Sequence, residues 1–136
     1  MKLSNIACSV MGILALTACS PEESKAYTTT EKTQLCQAYI GQLFQKPINI
    51  IKFDKEDSKG LTYVSYTRQI DNTKWSYVCD IDSKNKTMTW AGWFQDTGNW
   101  GRWRSEDTVS LNYDKETNST TFKVVNTGNL VKVSFN

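Results

Sequence analysis

The chain has 136 residues, 39% of them hydrophobic and 22% charged, with a formal net charge of +2. That balance excludes a disordered chain and a bundle of membrane helices, and it gives no electrostatic case for nucleic acid as a partner. Histidine is absent, which removes every Ser-His and Cys-His pair along with the commonest metal ligand and neutral-pH proton carrier.

The first five residues carry one positive charge, at Lys2, and an apolar stretch runs from Ile6 to Ala18. About a dozen residues fall short of the roughly 20 that a helix needs to cross a bilayer, but they suit the apolar region of a signal peptide. At its end, Leu16-Thr17-Ala18-Cys19 resembles the lipobox of bacterial lipoproteins: a branched apolar residue, two small residues, then the cysteine that accepts diacylglycerol. The resemblance implies loss of residues 1–18 and acylation of Cys19, palmitate included. Membrane retention follows from the acyl chains, each buried methylene contributing about 0.8 kcal/mol. It also implies a domain held on the periplasmic side of the cell envelope. Ser20, in place of Asp, favours the outer membrane by resemblance to enterobacterial sorting rules. Cys8 leaves with the leader.

Residues 19–29 read as a lipidated flexible tether, polar and interrupted by Pro21. A single globular domain is expected over residues 30–136. It opens with a helix: Thr30 is the expected N-cap, Glu31 suits the positive end of the dipole, and Leu35, Cys36, Tyr39, Ile40 and Leu43 form one apolar stripe. Pro47 ends the helix near Gln45. Strands are expected at Ile48–Phe53, Leu61–Arg68, Thr73–Asp82, Thr87–Phe94 and Trp100–Arg104. The alternating run Val109, Leu111, Tyr113 and the segments Thr120–Val125 and Leu130–Phe135 complete the set. In the third strand Trp75, Tyr77, Cys79 and Ile81 share a face, as a half-buried antiparallel strand requires. The fold class is α+β: one N-terminal helix packed on the apolar face of a curled antiparallel sheet of about six to seven strands.

With Cys19 acylated, Cys36 and Cys79 remain. Both lie on inward faces, and an oxidising compartment pairs such cysteines. A bridge across about forty residues contributes roughly 3–4 kcal/mol in the chain-entropy model. With no Cys-x-x-Cys spacing, it reads as a structural staple and not a redox centre.

The densest feature is Trp90-Ala91-Gly92-Trp93-Phe94 followed by Trp100-Gly101-Arg102-Trp103-Arg104. Trp93, Trp100, Arg102, Trp103 and Arg104 are the candidate binding face, since Trp and Arg dominate binding hot spots and indole faces suit sugar rings. The bland alternative puts Trp90 and Phe94 in the core and leaves Arg102 and Arg104 flanking Trp103 as solvated or ring-stacked charges. If a ring is exposed, Trp93 or Trp100 is the expected one, because they flank the turn at Asp96–Asn99. Asp54, Glu56 and Asp57 read as a solvated loop that does not match a calcium-binding pattern. Asp80 and Asp82 share a strand face, but acid/base chemistry needs a cleft that splits their pKa values.

The spaced run Cys36, Ile50-Ile51-Lys52, Tyr63-Val64-Ser65-Tyr66-Thr67-Arg68, Trp75-Ser76-Tyr77-Val78-Cys79, Trp90 and Gly101-Arg102-Trp103-Arg104 resembles a family of small, uncharacterised proteobacterial lipoproteins, often carried on prophages. That resemblance covers most of the expected mature chain and implies no activity. In architecture the chain is also similar to membrane-bound inhibitors of c-type lysozyme, although their inhibitory loop motif has no counterpart among these residues. The expected function is a non-catalytic binding module for an envelope protein or glycan, with no cofactor and no metal. The alternatives are a structural part of an envelope assembly and a glycan hydrolase working with carboxylates alone.

Overall fold

The computed structural model describes residues 25–136. The leader, Cys19 and most of the tether lie outside the described residues. The helix, α1, spans Thr29–Phe44. Thr28, not Thr30, is its N-cap: the Thr28 hydroxyl accepts from the Glu31 N–H, and the Glu31 carboxylate accepts from the Thr28 N–H at 3.0 Å. This reciprocal box satisfies two otherwise orphaned amides. The helix ends at Gln45, which adopts a left-handed conformation two residues before Pro47.

The folded part reaches further back than residue 30. Tyr27, expected in the tether, is buried, with its ring edge-on to Tyr113 and Phe135 and its hydroxyl 2.8 Å from that of Thr120. Lys25 lies over the Tyr113 ring and pairs with Glu31. A polar neighbourhood hid an aromatic anchor, because the partners of Tyr27 come from the other end of the chain.

Nine strands follow. They are β1 (Lys52–Glu56), β2 (Thr62–Arg68), β3 (Thr73–Asp82), β4 (Thr87–Phe94), β5 (Asn99–Trp100), β6 (Val109–Ser110), β7 (Asn112–Asp114), β8 (Ser119–Lys123) and β9 (Leu130–Ser134). The class is α+β, but the curl is built from two sheets. A six-stranded sheet has the order β1-β2-β3-β4-β5, with β6 also on β4, and a three-stranded sheet has the order β7-β8-β9. All pairings are antiparallel. The sheets share one run of chain. Val109 and Ser110 pair with Met88 and Thr87, the Leu111 N–H donates to the Lys86 carbonyl, and Asn112–Asp114 then pair with Ser119–Thr121. One strand thus begins in the first sheet and ends in the second, which curls the meander around the helix.

Two expected strands are altered. Residues Ile48–Ile50 form a 3-10 turn that follows Pro47, so β1 starts only at Lys52. In the expected strand Trp100–Arg104 only Trp100 keeps ladder pairing, although the Gly101 and Arg104 amides still donate to the carbonyls of Gly92 and Trp90.

The core lies between helix and sheets. Cys36 on α1 is bonded to Cys79 on β3, with a Cα–Cα distance of 5.9 Å. On the helix's other flank Tyr39 meets Phe122 of β8 edge-to-face at 5.9 Å. Tyr39 also donates to the Asp107 carbonyl at 2.6 Å, and burial pushes its phenol well above the ordinary range. Leu35, Ile40, Ile51, Val64, Met88 and Val124 fill the space between. Replacing Cys36 and Cys79 together by Ala is expected to lower unfolding free energy by about 3–4 kcal/mol, read by urea denaturation. A loss below about 1 kcal/mol would mean that packing alone holds the helix in place.

Candidate functional site

Strand register sorts the six-stranded sheet into two faces. Thr62 and Val64 oppose Cys79 and Tyr77, which oppose Trp90 and Gly92, and this face meets the helix. Tyr63 opposes Val78, which opposes Ala91, and this face points away from it. An antiparallel sheet with one face on the core usually turns polar residues outward. Here the outward face carries an aromatic cluster instead.

The cluster is Tyr63 from β2, Trp93 from β4 and Trp100 from β5. Trp93 and Trp100 are cross-strand partners, their rings 5.3 Å apart at 74°. Trp100 also meets Tyr63 at 5.5 Å and 66°. Since Tyr63 and Trp93 stand on strands either side of β3, the indole of Trp100 reaches across the sheet between them. Val78 and Ala91 on this face are only 4% and 2% exposed, as cover from the rings requires, while Trp100 itself is 38% exposed.

Two glycines shape this hairpin. Gly98 takes a positive φ of 69° in the turn, where its N–H donates to the Phe94 carbonyl. At Gly101 a Cβ would lie 2.6 Å from the Phe94 ring, so any larger residue there would push that exposed ring aside.

Polar groups border the cluster. Lys55 lies 4.8 Å over the Tyr63 ring. Asp54 accepts from the Ser65 hydroxyl at 3.0 Å. Asp54 and Glu56, expected in a loop, belong to β1, whereas Asp57 lies in the loop as expected and organises the β1–β2 turn. One of its oxygens accepts from the Leu61 and Lys59 amides and the other from the Tyr63 hydroxyl. Those amides, that of Leu61 first, hold its carboxyl below the usual range. Glu56 pairs with Lys32 of the helix at 3.1 Å.

The five candidate residues separate. Trp93 and Trp100 come together, Trp100 exposed and Trp93 only partly so, and Tyr63, which sequence reasoning missed, joins them. Its signal was an aromatic ring on the face of β2 that otherwise carries Ser65 and Thr67. Arg104 turns to the opposite face and stacks on the largely buried Trp90 at 5.5 Å. Arg102 is held by Glu106 in a two-pronged pair, both contacts at 2.9 Å. Trp103 is 40% exposed, outside the aromatic pairings just described. Phe94, one alternative core residue, is exposed, whereas Trp90 is buried as expected and donates to Asp107.

Asp80 and Asp82 stand two residues apart on β3, in different surroundings. Burial, then Asp82, raises the Asp80 carboxyl, while the backbone and side chain of Asn85 lower that of Asp82. Both oxygens of Asp82 are engaged by Asn85, which closes the β3–β4 turn. Among the described residues no group of three or more Cys, Asp or Glu side chains could hold a metal ion, and no helix is long and apolar enough to cross a membrane.

Comparison with known proteins gives no matching family model, no matching curated protein and no matching solved structure.

The hydrogen bonds from Arg102 hold the Glu106 carboxyl down to about 2. A lowered acid stabilises the folded state above its unfolded pKa, and that contribution disappears as pH falls through the folded value. Arg102→Ala is therefore expected to raise the Glu106 midpoint toward 4.5 while leaving the melting temperature at pH 7 nearly unchanged, because exposed pairs contribute little. Carboxyl NMR titration and thermal unfolding read the two effects. A Glu106 midpoint unmoved by the substitution would show that Arg102 is free.

Proposed function

We propose that the chain is a lipid-anchored protein of the bacterial cell envelope whose periplasmic domain binds an envelope protein or glycan, without catalysis, through the aromatic outward face of its six-stranded sheet. The observation that carries the binding part is Trp100: a large ring, 38% exposed, on the sheet face turned away from the helix. Clusters of this kind exclude water around a contact and concentrate binding energy in a few rings. Catalysis is disfavoured by the missing histidine and by the engagement of Asp57, Asp82, Glu56 and Glu106 in turns and ion pairs.

The anchor rests on different grounds. It is supported by Leu16-Thr17-Ala18-Cys19 after an apolar run and by the resemblance to small proteobacterial lipoproteins. The Cys36–Cys79 bridge fits an oxidising compartment. Ser20 favours the outer membrane.

One set of cells tests both parts. The wild-type chain is expected to take up radiolabelled palmitate, fractionate with membranes, and retain an envelope component through crosslinking. Cys19→Ser should abolish label and membrane fractionation together. Trp100→Ala should keep both and lose the crosslinked component. Palmitate labelling that survives Cys19→Ser would overturn the anchor, and crosslinking that survives Trp100→Ala would overturn the face.

A further inference from the structure

The outward cluster also limits what it can bind. We infer that its ligand is an uncharged pyranose unit of a glycan, stacked on the open part of the Trp100 indole. This inference rests on the reading of that face as the binding surface.

The first argument is shape. Tyr63 and Trp93 both stand steeply to Trp100, at 66° and 74°, with centroids 5.5 and 5.3 Å away. Rings set edge to face in this way do not stack flat on one another, and the 38% exposure of Trp100 leaves part of its indole open to solvent. The result is a partly open apolar surface bordered by two further rings. A pyranose offers a matching surface, since the axial C–H bonds on one side of the ring form an apolar patch of similar size. Burying the two patches against each other releases water from both.

The second argument is area. A fully exposed Trp presents up to about 250 Å², so the open part of Trp100 amounts to about 90 Å². A stable protein partner covers about 800 Å² on each side around an apolar centre. The open surface is the size of one sugar ring and well short of that centre.

The third argument is charge. A sugar's hydroxyls need donors and acceptors beside the ring, and both are present. Asp54 uses one carboxylate oxygen on Ser65, and no hydrogen bond from a described residue reaches the other. The Lys55 ammonium stands over Tyr63. Ser76, opposite Ser65, continues this polar row along the outward face. A nucleobase would also stack on the indole, but its phosphates would meet Asp54 and Asp57, and such sites need a positive groove. A quaternary ammonium needs a space enclosed by rings. Here the rings already touch one another, and Lys55 occupies the Tyr63 side.

Saturation-transfer NMR on the full processed chain in detergent micelles provides the test. The probes are a β-1,4-linked N-acetylglucosamine tetramer, a glucose tetramer and a neutral lipopolysaccharide core oligosaccharide. Transfer is expected to the ring C–H protons of at least one of them. Trp100→Ala should weaken that binding at least about tenfold. Trp100→Phe should retain part of it, and Leu130→Ala, on the exposed start of β9, should leave it unchanged. Near-UV circular dichroism confirms that each variant keeps its fold. If none of the three oligosaccharides gives transfer while envelope crosslinking remains dependent on Trp100, the ligand is a protein. The glycan inference then fails and the binding face stands. If crosslinking also fails to depend on Trp100, both fall.

Discussion

Everything in this fold is arranged around a helix that serves two sheets at once. One flank of α1 is bonded to the six-stranded sheet through Cys36 and Cys79, and the other packs on the three-stranded sheet through Tyr39 and Phe122. The helix also touches β1 and β9, the two ends of the strand path, so it lies across the opening of the curl. A meander of this length leaves its concave side apolar and its end strands unpaired. The 16-residue helix covers that side and fills the opening. Its apolar stripe is accordingly wide. Ala38 and Gly41 are buried in addition to Leu35, Cys36, Tyr39 and Ile40.

Because the concave side takes up the main core, the convex side has only a thin apolar layer, Val78 and Ala91, to cover. That is the physical reason why a ring there is informative. Trp90 and Tyr77 face inward and pack with Phe44, and Tyr77 also stacks on Tyr66. Trp93 is three residues from Trp90, yet it faces outward and takes part in a different set. The β4–β5 hairpin then brings Trp100 back over the sheet, through a turn that needs Gly98 and an exit where Gly101 leaves room for the Phe94 ring. The segment is pinned from the inside as well. Asp107 accepts from Tyr39 through its carbonyl and from Trp90 through its carboxylate, which ties the chain beyond the hairpin to the helix and to β4.

Much of this was legible in the amino-acid sequence where local pattern and packing agree. The stripe on α1, the alternation in β3 and the span of β4 follow from periodicities that the core enforces. The Cys36–Cys79 bond was legible because both cysteines fall on inward positions of those same elements. Other features depend on residues far apart in the chain. Tyr27 reads as tether until Thr120, Tyr113 and Phe135 surround it. Val109–Asp114 reads as one strand, and nothing local reveals that its halves belong to different sheets. At the candidate site, proximity in sequence misled. Arg102, Trp103 and Arg104 adjoin Trp100, but the strand ends at Trp100 and the chain runs on into the 3-10 turn at Ser105–Asp107, so Arg104 reaches Trp90 and Arg102 pairs with Glu106. Tyr63, more than thirty residues earlier, is the true neighbour.

Native-state hydrogen exchange tests the central role of the helix most directly. If α1 holds both sheets in one cooperative unit, amides at Leu35–Gly41, at Val78 and Cys79, and at Thr120–Phe122 should exchange through a single opening with the same free energy and the same denaturant dependence. If instead Thr120–Phe122 open at clearly lower free energy while the helix and β3 stay protected, the three-stranded sheet is an appendage, and the helix is the core of one sheet only.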